Sequence, residues 1–166
     1  FAFENQNPEN ATYTYLGRDY DRLSSLLNKY KPIYAEIVGY GATSDGHDMV
    51  APSGDGARRC MEIARSTVDV PIDYINTHGT STPVGDACEL QAMSAVFGEE
   101  VPKFGSSKSM CGHSLGATGV HETIHCLLML EHDFIAPSIN VIDIDPAAVD
   151  MPLVMARIDN AGIRTA

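Results

Sequence analysis

Basic residues are scarce in this sequence. Lys and Arg together number 11 against 22 Asp and Glu, a net charge of −11, which argues against a general binder of nucleic-acid phosphates. Arg58-Arg59 is the only tight basic pair, and so the one local patch for an acidic partner. No apolar run approaches the roughly 20 residues of a membrane span. There is no CxxC: Cys60, Cys88, Cys111 and Cys126 stand far apart in helix-like or Gly-flanked settings. That is the pattern of free thiols in a reducing, cytoplasmic setting rather than of a disulfide framework. The first residue is Phe1 rather than an initiator, so the chain is expected to be a piece of something longer. Its 166 residues are still enough for one domain with a core, since a chain of about 150 residues buries roughly 70% of its unfolded surface.

Strand and helix signals alternate along the chain, predicting an α/β class with parallel pairing. Residues 1–30 read as a segment of unclear origin, a weak strand or loop followed by a short helix over 19–30 that stops before Pro32. Residues 31–166 read as the α/β unit. Alternation from Ile33 predicts a strand running into a Gly-rich turn, and helical spacing follows over 55–67. "PIDYIN" is a short strand, and Thr82-Pro83 supplies an N-cap and first-turn proline for a helix through Phe97. "VPKFGSS" is strand-like, a helix over 115–131 follows the small residues of "KSMCGHSLGATG", and "PLVMARI" is a last strand candidate.

One stretch matches a known metal motif. His121-Glu122-Thr123-Ile124-His125 fits H-E-x-x-H, in which two imidazoles one turn apart grip zinc and the glutamate deprotonates a bound water. A zinc site needs a third ligand. His132 continues the same helix with no turn to bring it back, leaving Asp143 and Asp145 as the remaining downstream candidates. The bland reading is a helix that buries Val120, Ile124, Leu127 and Leu128, and it is preferred, so the chain is expected to carry no zinc. Two other histidines have richer settings, each where a strand gives way to a helix, the place where sites gather in such folds. His78 is trailed by Gly79, Thr80, Ser81 and Thr82, and His113 stands before "SLGATG". Glycine admits close backbone approach, hydroxyls bind polar chains, and a neutral imidazole N–H can hold a developing enolate oxygen. Cys111 reads as an ordinary small residue.

At these residues the sequence resembles a family. "AEIVGYGATSDGHDMVAPSGDGA", "NTHGTSTPVGDACEL", "SSKSMCGHSLGATGVHE" and "LLMLEHDFIAPSIN" are similar to the C-terminal half of type I β-ketoacyl-acyl-carrier-protein synthases, over residues 33–158. The resemblance implies a thiolase-like fold, here one incomplete half with a mixed sheet covered by helices. It implies a homodimer, acyl carrier protein as partner, no organic cofactor, and a decarboxylative Claisen condensation in fatty-acid biosynthesis. It makes His78 and His113 the two catalytic histidines, Lys108 their electrostatic support with Glu89 as its partner, and Thr80 and Thr82 the lining of a phosphopantetheine tunnel. Asn76 and Glu122 fall where some relatives hold a structural monovalent cation. None of the four cysteines sits in the family's nucleophile motif, and the chain stops before the family's final Gly-rich strand segment. The expectation is a fragment inactive by itself, set against a degenerate half-synthase acting as an interaction module and against the zinc hydrolase.

Overall fold

The computed structural model describes residues 2–5 and 34–166. The expected helix over 19–30 lies outside them, and of the first segment only Ala2–Asn5 is described, as strand β1. It pairs antiparallel with β2, Ala35–Gly39. The turn after β2 lies directly on helix α1 (Asp55–Arg65): a Cβ on Gly41 would stand 2.1 Å from the Cys60 carbonyl oxygen, so only glycine fits.

The positions of the site residues come from a strand–helix–strand unit. β3 (Tyr74–Asn76) leads through α2 (Pro83–Phe97) to β4 (Lys103–Gly105), which lies parallel to β3 with Ile75 opposite Phe104. The helix between them supplies the crossover that parallel strands require. Strand alternation divides the core in two. Tyr74 faces a cluster of Cys126, Met129, Leu130, Ile135, Val154 and Ile163, while Ile75 and Phe104 face Leu90, Met93 and Ala148. Helix α3 (Lys108–Cys111) and a 3-10 turn (Leu115–Ala117) then lead into α4, Thr118–His132.

Parallel pairing holds for β3–β4 only among the described pairs. β5 (Phe134–Ile135) and β6 (Ile158–Asp159) pair antiparallel, with a short 3-10 turn, Pro146–Ala148, and no α-helix between them. The last strand candidate is correspondingly reduced to β6 and one parallel bridge from Leu153 to Phe104.

Helix α4 turns the other way from expectation. Its inward residues are Thr118, Cys126, Met129 and Leu130, whereas Val120, Ile124 and Leu128 are 63%, 48% and 41% exposed. At about 100° per residue, Val120, Ile124 and Leu128 fall on the side opposite Cys126. The helix is apolar on two sides, and spacing alone does not say which one meets β3. The basic pair is also not a free patch. Arg58 donates to Asp55 and Glu62 at 2.7 and 2.6 Å, and Arg59 donates to Asp55 at 2.7 Å and to the Ser44 carbonyl at 3.2 Å. Helical i,i+3 and i,i+4 spacing brings the acids to them.

Burial separates the cysteines chemically. The Cys126 thiol, packed in the Tyr74 cluster, has its pKa pushed up to about 11 by burial, whereas Cys111 is exposed. Only a thiolate alkylates readily. Iodoacetamide at neutral pH is therefore expected to label Cys111 first and to reach Cys126 only after unfolding, as peptide mass spectrometry would record. Labelling of Cys126 as fast as Cys111 in the folded chain would contradict this packing.

Candidate active site

Past Asn76 the chain leaves β3 through Thr77-His78-Gly79, and this bend is clamped on both sides. Thr77 N–H donates to the Gly105 carbonyl at 2.9 Å. Glu89, on α2, accepts from His78 N–H at 2.8 Å and Gly79 N–H at 3.0 Å, and Ser106 Oγ donates to the Gly79 carbonyl at 2.8 Å. Gly79 has φ +23°, and a Cβ there would stand 2.9 Å from both Ser106 Cβ and Thr77 Oγ1, so the bend requires glycine.

His113 is delivered from the opposite direction. α3 ends at Gly112 (φ 73°), and Leu115 adopts φ 51°, a left-handed conformation that costs a non-glycine residue about 1 kcal/mol or more. In that conformation Leu115 N–H donates to His113 Nδ1 at 3.1 Å. Nδ1 is thereby an acceptor, so the neutral ring carries its proton on Nε2. The His78 and His113 rings stand edge to face, centroids 5.2 Å apart and planes at 85°. The two imidazoles expected at one sheet edge are thus side by side and exposed, a spacing that lets two N–H donors approach one oxygen at about 3 Å each.

Lys108 pairs with Glu122 of α4, not with Glu89 as the resemblance suggested; the two side chains are 4% and 19% exposed. The reason is geometric. Both carboxylate oxygens of Glu89 are taken by the backbone of the His78 bend, while Glu122 lies on the Cys126 side of α4, facing inward. Asn76 donates from Nδ2 to Ser107 Oγ at 3.3 Å, which leaves its buried Oδ1 with no hydrogen-bond partner. Asn76, Glu122 and Cys126 line one cavity of about 260 Å³, together with Tyr74 and Thr123. An amide oxygen and a carboxylate lining one cavity are donors of the kind a hard cation takes, and here the carboxylate is already paired with Lys108.

Thr82 precedes α2 in extended conformation with Pro83 at the first helical position, as expected, but its hydroxyl does not cap the helix. Asp86, in the first turn, instead ties down the segment leading into the helix, accepting from Thr80 N–H at 3.1 Å and Thr82 N–H at 3.3 Å, and the two threonine hydroxyls lie 3.2 Å from each other. Sequence reasoning passed over Asp86 and Ser106. An acid in the first turn of a helix is the signal that points to Asp86; Ser106 carries none. The H-E-x-x-H histidines part company. His121 Nδ1 bonds Ser114 Oγ at 2.9 Å, whereas His125 lines a separate cavity beside Tyr74 and Met129, its buried Nδ1 unpartnered. Among the described residues, no three His, Cys, Asp or Glu side chains are grouped to hold a metal, and no helix is long and apolar enough to cross a membrane.

Comparison with known proteins agrees with the motifs. A family model for the β-ketoacyl synthase C-terminal domain matches residues 34–142. The 3-oxoacyl-[acyl-carrier-protein] synthase 1 of Haemophilus influenzae is 61% identical over 145 residues, covering 87% of this chain and 36% of that protein. Among solved structures, the ishigamide ketosynthase/chain length factor superposes with a TM-score of 0.76 at 33% identity, over 86% of this chain and 39% of that one. The AntDE:AntF structure, a type II PKS acyl-carrier protein in complex with its ketosynthase, gives 0.70 at 26% identity, over 88% and 40%. The chain spans about two-fifths of the length of these relatives. Its mixed α/β architecture is that of the thiolase-like ketosynthases, and the chain belongs to the β-ketoacyl synthase family, of which it carries the C-terminal domain.

Proposed function

We propose that the protein to which these residues belong elongates acyl chains in fatty-acid biosynthesis, condensing malonyl-carrier protein with an acyl-enzyme thioester. The observation that carries this reading is the paired imidazoles 5.2 Å apart, one of them held as an Nε2–H donor by Leu115. His78 and His113 donate to the thioester carbonyl oxygen of malonyl-carrier protein. As the carboxylate leaves as CO2, its bonding electrons become an enolate whose oxygen those donors stabilise. The enolate carbon then attacks the acyl thioester: a C–C bond forms, the C–S bond to the enzyme breaks, and the thiolate is released. None of Cys60, Cys88, Cys111 and Cys126 lies in the family's nucleophile motif, so that cysteine is supplied outside these 166 residues. By itself, then, the chain forms no acyl-enzyme and elongates nothing.

Glu89 holds the His78 bend, Lys108 supplies positive charge behind the site, and Thr80 and Thr82 line the phosphopantetheine arm of the carrier protein. Asn76 and Glu122 are the residues that would hold a monovalent cation, whose charge would tie β3 to α4; no organic cofactor takes part. The protein works in the cytoplasm as a homodimer with acyl carrier protein as its partner.

The test is a malonyl-carrier-protein condensation assay on the full-length protein. Thr82→Ala is expected to raise KM for carrier-bound substrate several-fold with kcat little changed, as loss of a uniform binding contact does. A full-length protein that makes no β-ketoacyl product, or a Thr82→Ala change that falls wholly on kcat, would sink this reading.

A further inference from the structure

Hydrogen bonding to His113 does not end at Leu115. Its Nδ1 also lies 2.8 Å from Thr118 Oγ1, Thr118 Oγ1 lies 3.2 Å from Ser114 Oγ, and Ser114 Oγ lies 2.9 Å from His121 Nδ1. The direction of this row follows from one bond. Leu115 N–H donates to Nδ1, so Nδ1 has a lone pair and no proton to give, and Thr118 meets it as a second donor sharing that lone pair. A hydroxyl has one proton. With that proton committed, Thr118 Oγ1 accepts from Ser114, and Ser114 Oγ in turn accepts from His121 Nδ1–H. The opposite tautomer of His121 would take the Ser114 proton and leave two oxygens 3.2 Å apart with no proton between them. The tautomer with Nδ1–H gives every group in the row a consistent role.

Burial makes the row consequential. Thr118 is 6% exposed, so its hydroxyl has little water to turn to, whereas Ser114 and His121 are exposed. The row therefore runs from the surface, through a buried hydroxyl, to His113 Nδ1, the ring nitrogen that Leu115 N–H also meets. Consecutive hydrogen bonds polarise one another, so a donor at the far end strengthens the bond at the near end.

We propose that His121 is a positioning residue for His113, acting through the Ser114 and Thr118 hydroxyls to hold that imidazole as an Nε2–H donor. The consequence for reaction rests on the enolate-stabilising role proposed for His113; the hydrogen-bonded row itself does not. The first histidine of the H-E-x-x-H match thereby gains a job that is not metal binding, while the second, facing another cavity, takes no part.

The test is ring-nitrogen NMR of the full-length protein labelled at histidine and threonine, parent and variants, with backbone amide spectra to record folding. The parent should show His113 as one Nε2–H tautomer and the Thr118 hydroxyl proton in slow exchange. Thr118→Val should move the His113 tautomer ratio towards Nδ1–H by about fivefold, the size of one net hydrogen bond, and Thr118→Ser should restore it. His121→Leu should speed exchange of the Thr118 hydroxyl proton about fivefold, and His121→Gln, whose amide N–H can donate in its place, should restore protection. His121 is exposed, so this second arm is readable even where the valine variant unfolds. A tautomer ratio unmoved by Thr118→Val, or hydroxyl exchange unmoved by His121→Leu, overturns the proposal. A chain whose parent enzyme proves to have no decarboxylase activity would still give the full NMR result, so the two failures are distinguishable.

Discussion

Replacing His78 or His113 by alanine in the full-length protein is expected to lower decarboxylation of malonyl-carrier protein by about 10²–10³-fold each, the usual cost of one oxyanion donor. On the proposed mechanism, the enolate oxygen is the place where charge builds during loss of CO2. Two imidazole N–H donors carried on a clamped backbone meet that charge without reorganising. The rigidity is visible on both sides: Glu89 and Ser106 clamp the His78 bend, and Leu115 spends a left-handed backbone conformation on His113 Nδ1. The two losses should not multiply, because donors serving one oxygen act as a unit. A double variant is expected to be little worse than the more impaired single one. Trapping of released CO2 against time measures this directly, and a double variant with the parental rate would remove both histidines from the mechanism.

Much of this arrangement was legible because it is local. Thr77-His78-Gly79 after an apolar strand, and Gly112-His113 before a helix, are contiguous signals that backbone preference explains. Residues 74–105 likewise announce a strand, a helix with Pro83 in its first turn, and a second strand. What the sequence hid was which partner each side chain meets across the fold. Lys108 has two glutamates on neighbouring helices, and only the prior claim of the His78 and Gly79 amides on Glu89 sends Lys108 to Glu122. Thr82 stands at the helix cap as its sequence suggests, yet its hydroxyl meets Thr80 rather than a helix amide. α4 is apolar on two sides, so periodicity gave its axis but not its rotation. These outcomes are competitions between chemically equivalent groups, decided by three-dimensional placement.

The Lys108–Glu122 pair gives the largest stability effect expected here. Glu122→Ala should destabilise the chain by about 3–5 kcal/mol, because it leaves a buried ammonium without its countercharge. Lys108 is 4% exposed at its side chain and Glu122 19%, so the two deletions are not equivalent. Removing the lysine strands a carboxylate that water partly reaches, and Lys108→Met should cost less. The double variant Lys108→Met, Glu122→Leu removes both charges and should recover most of the loss, since a buried ion pair is often no more stable than apolar residues of similar volume. Urea unfolding midpoints of the three variants read the ordering. A Glu122→Ala chain within about 1 kcal/mol of the parent would mean that the ammonium finds water after all. The double variant also separates two roles that the single changes confuse. If Lys108 matters only as a strut between α3 and α4, restoring stability in the full-length protein should restore decarboxylation with it. If its charge supports the enolate, the repaired scaffold should remain slow, because an apolar strut carries no field to the oxygen held by His78 and His113.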